Sequence, residues 1–234
     1  MLEIIRSHER GRASFGWLNS RHTFSFGHYY NPRQMGFSKL RVINDDKVAP
    51  GAGFETHGHR NMEIISYVLN GAIAHRDSAG NQKVLPAGEF QLMSAGRGIY
   101  HSEYNASQQD KLAFLQIWIE PNQLDGEPEY QQKHFDEKSG LTTVITPDGR
   151  NGTLKIKQDA SLSQLILPVQ DTCLIPTLAH RCYYLHLIDG ELELAGNRLT
   201  AGDGIKLSGI QELSVQAGTE PVRALWFDLP EIGS

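Results

Sequence analysis

The chain has 234 residues, with 22 Lys and Arg against 27 Asp and Glu and a formal net charge of -5. That length buries one large core or two small ones, and an acidic balance without a long basic run excludes the electrostatic footprint of a direct nucleic-acid binder. Residues 1–10 carry charges where a secretory signal needs an apolar core, and no apolar run approaches the ~20 residues of a membrane span, so no membrane role and a cytoplasmic location are expected.

In chain order, β-branched and aromatic runs at Phe37 to Val42, Glu63 to Leu69, Phe90 to Ser94, Leu112 to Ile119, Tyr183 to Ile188, Glu191 to Leu194 and Ala224 to Asp228 predict strands. Long 3.6-residue periodicities are hard to find, so the expected class is all-β. Asp77 to Asn81 and Ala195 to Asn197 hold residues that tolerate left-handed turns. The stretch from Pro121 to Gly140, rich in Pro, Gly, Gln and acids, predicts a crossover between two halves, residues 1–130 and 131–234. Cys173 and Cys182 lie in no CxxC pattern and are expected as reduced thiols.

The halves resemble each other. Gly71 opens Gly-Ala-Ile-Ala, followed by a Gly80-Asn81 turn, Pro86-Ala-Gly-Glu89 and a run to Ser94; Gly190 opens Gly-Glu-Leu-Glu, followed by Gly196-Asn197, Thr200-Ala-Gly-Asp203 and a run to Ser208. The match predicts a duplicated β-domain.

Two segments of the first copy carry chemistry. His57-Gly58-His59 and His101-Ser102-Glu103 each place two ligand-capable side chains on one face of a strand. Three imidazoles and a carboxylate suit a first-row divalent ion and leave positions open for substrate or oxygen. In the second copy the same sequence offsets land on Pro176, Leu178, Val215 and Ala217, none of which ligates through its side chain, so that half is expected to be metal-free. His180 and His186 fall outside the ligand register.

The spacing Gly51, His57, His59, Glu63, Gly71 resembles the first motif of the cupins at each fixed position, and Gly88, Gly96, His101 and Asn105 resemble the second with departures, Ser94 standing where proline is usual. Within the cupins, Trp17 with the run from His22 to Tyr30, Arg41 to Asp45, His57 to Arg60 and Gly98 to Asn105 resemble the pirin family of bicupins. That resemblance implies two tandem cupin (jelly-roll) domains, one metal in the first, and His57, His59, His101 and Glu103 as its ligands. Iron is the first expectation for the ion, with manganese, nickel, cobalt, copper or zinc as alternatives. Cupins more often take their carboxylate from the position of Glu63, but four residues of straight strand span ~13 Å, so Glu63 would need a bend to share an ion with His59. It is expected instead to orient an imidazole or handle a proton.

Three neutral imidazoles and one carboxylate leave a divalent site near a formal charge of about +1, which favours an anionic bidentate ligand such as a deprotonated hydroxy-ketone. The pirin resemblance implies a quercetin 2,3-dioxygenase-like enzyme that opens a flavonol ring with oxygen and releases carbon monoxide, with Glu63 or Glu103 taking the 3-hydroxyl proton. The alternative from the same resemblance is a metal-dependent regulatory protein acting through protein contacts. A two-cupin chain can cover its own sheet faces, so a monomer is expected. His75 is expected as an exposed strand residue, and His28 and His134 have no partner at useful spacing. Trp17, Phe24 and Phe26 are expected in core packing, and Glu120, Asp125, Glu127 and Glu129 in a solvated loop.

Overall fold

The computed structural model describes residues 1–233, and its regular structure is almost entirely strand. The first half forms β1 (Leu2–Ile5), β2 (Gly11–Ser14), β3 (Leu18–His22), β4 (Leu40–Val48), β5 (Gly53–His59), β6 (Glu63–Asn70), β7 (Ala72–Asp77), β8 (Gln82–Pro86), β9 (Glu89–Ser94), β10 (Ile99–Asn105), β11 (Leu112–Ile119) and β12 (Glu129–His134). The second forms β13 (Gly140–Thr146), β14 (Leu154–Lys155), β15 (Ser161–Leu167), β16 (Thr172–Pro176), β17 (Cys182–Asp189), β18 (Glu191–Leu194), β19 (Asn197–Thr200), β20 (Gly204–Ser208), β21 (Glu212–Ala217) and β22 (Val222–Leu229). The runs predicted as strands all fall on strands, except that the first begins at Leu40, with Phe37 making only an isolated bridge to it.

Each half is a seven-stranded sheet facing a four-stranded one, the layout of two cupin barrels. The first pair is β12-β9-β6-β11-β4-β3-β2 against β5-β10-β7-β8; the second is β1-β20-β17-β22-β15-β13-β14 against β16-β21-β18-β19. Two segments depart from a simple division. β1 leaves the first half to pair with β20, and β12, which contains residue 130, joins the first half's sheet on the edge of β9. The stretch expected as a plain crossover therefore carries a strand.

Alternation decides what each face does. On β6, Ile65 and Tyr67 join an apolar cluster that also takes Leu115 and Ile117 of β11, Tyr184 of β17 and Leu225 and Phe227 of β22. The two seven-stranded sheets thus share one core, and an interface of that character holds the halves together more firmly than the polar contacts usual between domains. The opposite residues of the same strands point into the barrels. Cys182 is buried, Cys173 is half-buried, and both are free.

Candidate metal centre and its aromatic cleft

The histidine pairs meet because β5 and β10 are antiparallel neighbours with His57 directly opposite His101. Beyond that pair, Glu103 faces Phe54, so β5 carries one extra residue in a bulge. The bulge lets Phe54 and His57, on opposite faces of an ideal strand, both turn inward, with their rings 6.4 Å apart.

The three imidazoles converge, with centroid separations of 4.8 Å for His57 and His59, 4.5 Å for His57 and His101, and 4.9 Å for His59 and His101. His57 donates from Nδ1 to the Glu55 carbonyl at 2.7 Å, which leaves a lone pair on its Nε2. That atom lies 3.1 Å from His101 Nε2, close to the separation of two nitrogens sharing one ion at bonds of ~2.1 Å and a right angle. Burial, and then the neighbouring imidazoles, push His59 down to about 4 and His101 to about 3. The rings of His59 and His101 are therefore neutral at neutral pH, the form that binds a metal.

Glu103 is buried on the inner wall, two residues from His101. Ser66 Oγ donates to its Oε1 at 3.2 Å and Gln116 Nε2 to its Oε2 at 3.5 Å. Burial raises its pKa against the opposing pull of His75 and His57. Its carboxylate groups with His101 and His75, while His57, His59 and His101 form the other group of convergent donors, so His101 belongs to both. This donor set fits a divalent metal ion.

Glu63 lies elsewhere. Three positions before the inward Ser66, it shares the outward face of β6 with Ile65 and Tyr67, and its carboxylate accepts from Ser94 Oγ at 2.8 Å and from the Lys157 backbone amide at 3.1 Å. The expectation that it serves the imidazoles is corrected by strand alternation: Glu63 ties the two halves together.

His75 is also corrected. It is 3 % exposed, sits opposite Glu103 across the β7–β10 ladder, and pairs through Nε2 with Asp77 at 3.0 Å. Tyr130 covers it at 4.8 Å, and its Nδ1 is buried without a partner. The repeat held the signal, because His75 corresponds to Leu194, a buried core position.

Trp17 packs against the core cluster around Val68 and Phe114 as expected and also lines a cleft of about 660 Å³ with Phe15, Tyr29, Phe54 and Phe26, the last expected in the core; Phe24 is core as expected. Phe26 meets Trp118 edge-on at 5.3 Å and Trp118 meets His59 at 5.0 Å, so the cleft abuts the imidazoles. Gln116, which donates to Glu103, also lines it. His28 is exposed on its rim, and His134 is exposed on β12. Glu120, Asp125 and Glu127 are solvent-facing as expected, with Asp125 paired to Arg60 and Glu127 to Arg97, whereas Glu129, expected in the same loop, opens β12 and pairs with Lys157.

Across the floor of this site runs an in-register row of inward polar residues, His22 on β3, Asn44 on β4, Gln116 on β11, Ser66 on β6 and Gln91 on β9. A polar row inside a barrel is costly unless it is hydrogen-bonded, and here His22 pairs with Asn44 while Ser66 and Gln116 bond Glu103.

The Pirin family model matches residues 5–119, and the model of the quercetinase C-terminal cupin domain matches residues 143–229. A quercetin 2,3-dioxygenase of Escherichia coli K12 is 44 % identical over 232 residues, covering 99 % of this chain and all of the relative.

The chain belongs to the pirin family.

A pirin-like protein of Caulobacter vibrioides is 40 % identical over 209 residues, covering 88 % of each chain. The crystal structure of the Escherichia coli pirin YhhW in complex with nickel(II) superposes with a TM-score of 0.96 at 43 % identity, covering 99 % of this chain and all of that one. A nickel-bound relative and the convergent donors together support a divalent metal in this pirin. No helix among the described residues is long and apolar enough to cross a membrane.

Proposed function

We propose that this pirin is a metal-dependent dioxygenase of flavonol-type substrates. The observation that carries the proposal is the juxtaposition of three imidazoles and a buried carboxylate with an aromatic cleft of about 660 Å³, a volume within the usual range for a small-molecule site. The quercetin 2,3-dioxygenase name of the full-length Escherichia coli relative supports the substrate class. His57, His59, His101 and Glu103 would hold the ion, a first-row divalent metal such as iron or nickel. When bound, it supplies an electron-withdrawing centre for the hydroxy-ketone edge of the substrate and a route to oxygen chemistry.

The protein's own residues do the rest. Aromatic walls formed by Trp17, Phe26, Tyr29 and Phe54 take up the flat ring system and exclude water. On this reading Glu103, which faces the imidazoles and whose pKa burial raises, takes the substrate's 3-hydroxyl proton, while Glu63 is engaged by Ser94 and the Lys157 amide. Ser66 and Gln116 hold the Glu103 oxygens in position.

Purified protein loaded separately with iron, manganese, nickel or cobalt tests the proposal. Oxygen-dependent loss of quercetin with release of carbon monoxide from a loaded form, and none from metal-free protein, is the expected result. Metal retained with quercetin untouched in every form would overturn the substrate while leaving the metal site standing.

A further inference from the structure

The cleft wall carries a polar acceptor that the proposed chemistry leaves unused. His22 lies at the end of the polar row, 5 % exposed, with Nδ1 2.8 Å from Asn44 Oδ1 and 3.3 Å from Ser20 Oγ. An amide oxygen only accepts, so the ring proton sits on Nδ1 and Nε2 keeps its lone pair. The ring lines the cleft between Phe26, at 5.4 Å, and Tyr29, stacked at 6.4 Å. Tyr29 is seated by the absence of a side chain at Gly11, where a Cβ would stand 2.3 Å from its ring.

Of the other polar groups of the inner wall, Asn44 holds His22 and Gln116 reaches toward Glu103, whereas Asp46 Oδ1 and the Gln91 amide have no partner but are sealed out of reach of the cleft's solvent. Burial lowers the pKa of His22, Arg10 lowers it further, and only the Asn44 contact opposes them, so the ring remains a neutral acceptor. Gln116 and Phe54 line the cleft beside Glu103 and His57, whereas His22 stands two strands away from Gln116, across Asn44, between Phe26 and Tyr29.

We propose that His22 is a specificity-determining residue whose Nε2 accepts a hydrogen bond from a phenolic hydroxyl on the part of the substrate remote from its hydroxy-ketone edge. The proposal rests on the flavonol reading of the site and narrows it. The preferred substrate is a flavonol hydroxylated on its outer rings, because an unsubstituted ring would leave a buried acceptor without a partner.

Anaerobic titration of nickel-loaded and metal-free protein, followed by tryptophan quenching, compares quercetin with 3-hydroxyflavone, which retains only the chelating hydroxyl. Wild type should prefer quercetin, and His22→Phe should reduce the ratio of the two dissociation constants by about tenfold. His22→Gln, which offers an amide oxygen near the place of Nε2, should keep a ratio between the two and is the readout if His22→Phe does not fold. A ratio in the folded variants equal to that of wild type overturns the role of His22 and leaves the flavonol proposal intact. Failure of wild type to bind either flavonol overturns that proposal, and the role of His22 falls with it.

Discussion

The two barrels share a fold and differ in what they enclose. In the first, the inner wall carries His22, Asn44, Gln116, Ser66 and Gln91; the in-register row of the second is Thr143, Ser163, Trp226, Leu185 and Ile205. Strand pairing likewise puts Ile175, Leu213 and Val215 where the first barrel has His57, His101 and Glu103. These assignments lie one or two residues from those counted along the sequence, because the connecting loops differ in length. The second barrel closes around a single apolar cluster that includes Leu185, Ile205, Val215 and Trp226. The core of the first is divided into a group around Val68 and Phe114 and another around Ile64 and Met93. The difference teaches that one duplicated scaffold can give up continuous packing in one copy because the other copy, and the core between them, retain it.

The largest effect should come from forcing the first barrel's chemistry on the second. Leu213→His combined with Val215→Glu buries two uncompensated polar groups and should cost about 4 kcal/mol or more, read as a collapse of the urea midpoint. A stable double variant would show that the second barrel tolerates polar groups as the first does. Exchanging the middle of the row should be nearly as asymmetric. Trp226→Gln should cost ~3–5 kcal/mol through lost packing, whereas Gln116→Leu should stay within ~1 kcal/mol of wild type in the metal-free protein. Equal losses in the two denaturation curves would erase the distinction.

Within the first barrel, His101→Ala removes the side chain common to both donor groups. Metal content by elemental analysis should drop below about a tenth of wild type, with quercetin turnover down by about 100-fold or more. A smaller expected effect depends on pH. Burial pushes Asp46 from 3.8 up to about 7. Its folded pKa lies above its unfolded value, so its contribution to stability is full below 3.8 and is lost as pH rises through about 7. The stability of wild type relative to Asp46→Asn should therefore decline from about pH 4 to about pH 8 in the metal-free protein. Parallel urea midpoints across that range would contradict the shift. The smallest change is expected at Glu63, which faces the other half. Glu63→Gln should leave metal stoichiometry unaltered and shift stability by about 1 kcal/mol; loss of metal would return Glu63 to the site.

Much of the site was legible in the sequence because its residues follow strand alternation. His57 with His59 and His101 with Glu103 needed only a spacing of two to share a face, and cupin spacing linked the segments. Glu63 was misplaced because a family pattern associates that position with the metal while its orientation depends on which face of β6 turns toward the other half. His75, Phe26 and the cleft-facing side of Trp17 escaped for the same kind of reason. A lone histidine on a hairpin and aromatic residues near a strand end have no local signature that separates core, cleft and surface.

The sequence by itself determined the all-β class, the internal duplication, the pirin resemblance and the paired ligand segments. These depend on periodicity and spacing, which the linear chain carries. Tertiary structure alone decided that the two large sheets share a core, that β1 crosses to the second barrel, and that Glu63 faces away from the imidazoles. It also decided that His22, Asn44, Gln116, Ser66 and Gln91 lie in one row. Those relations are set by which strands become neighbours and which face is covered, and residues on five different strands meet only when the barrel closes.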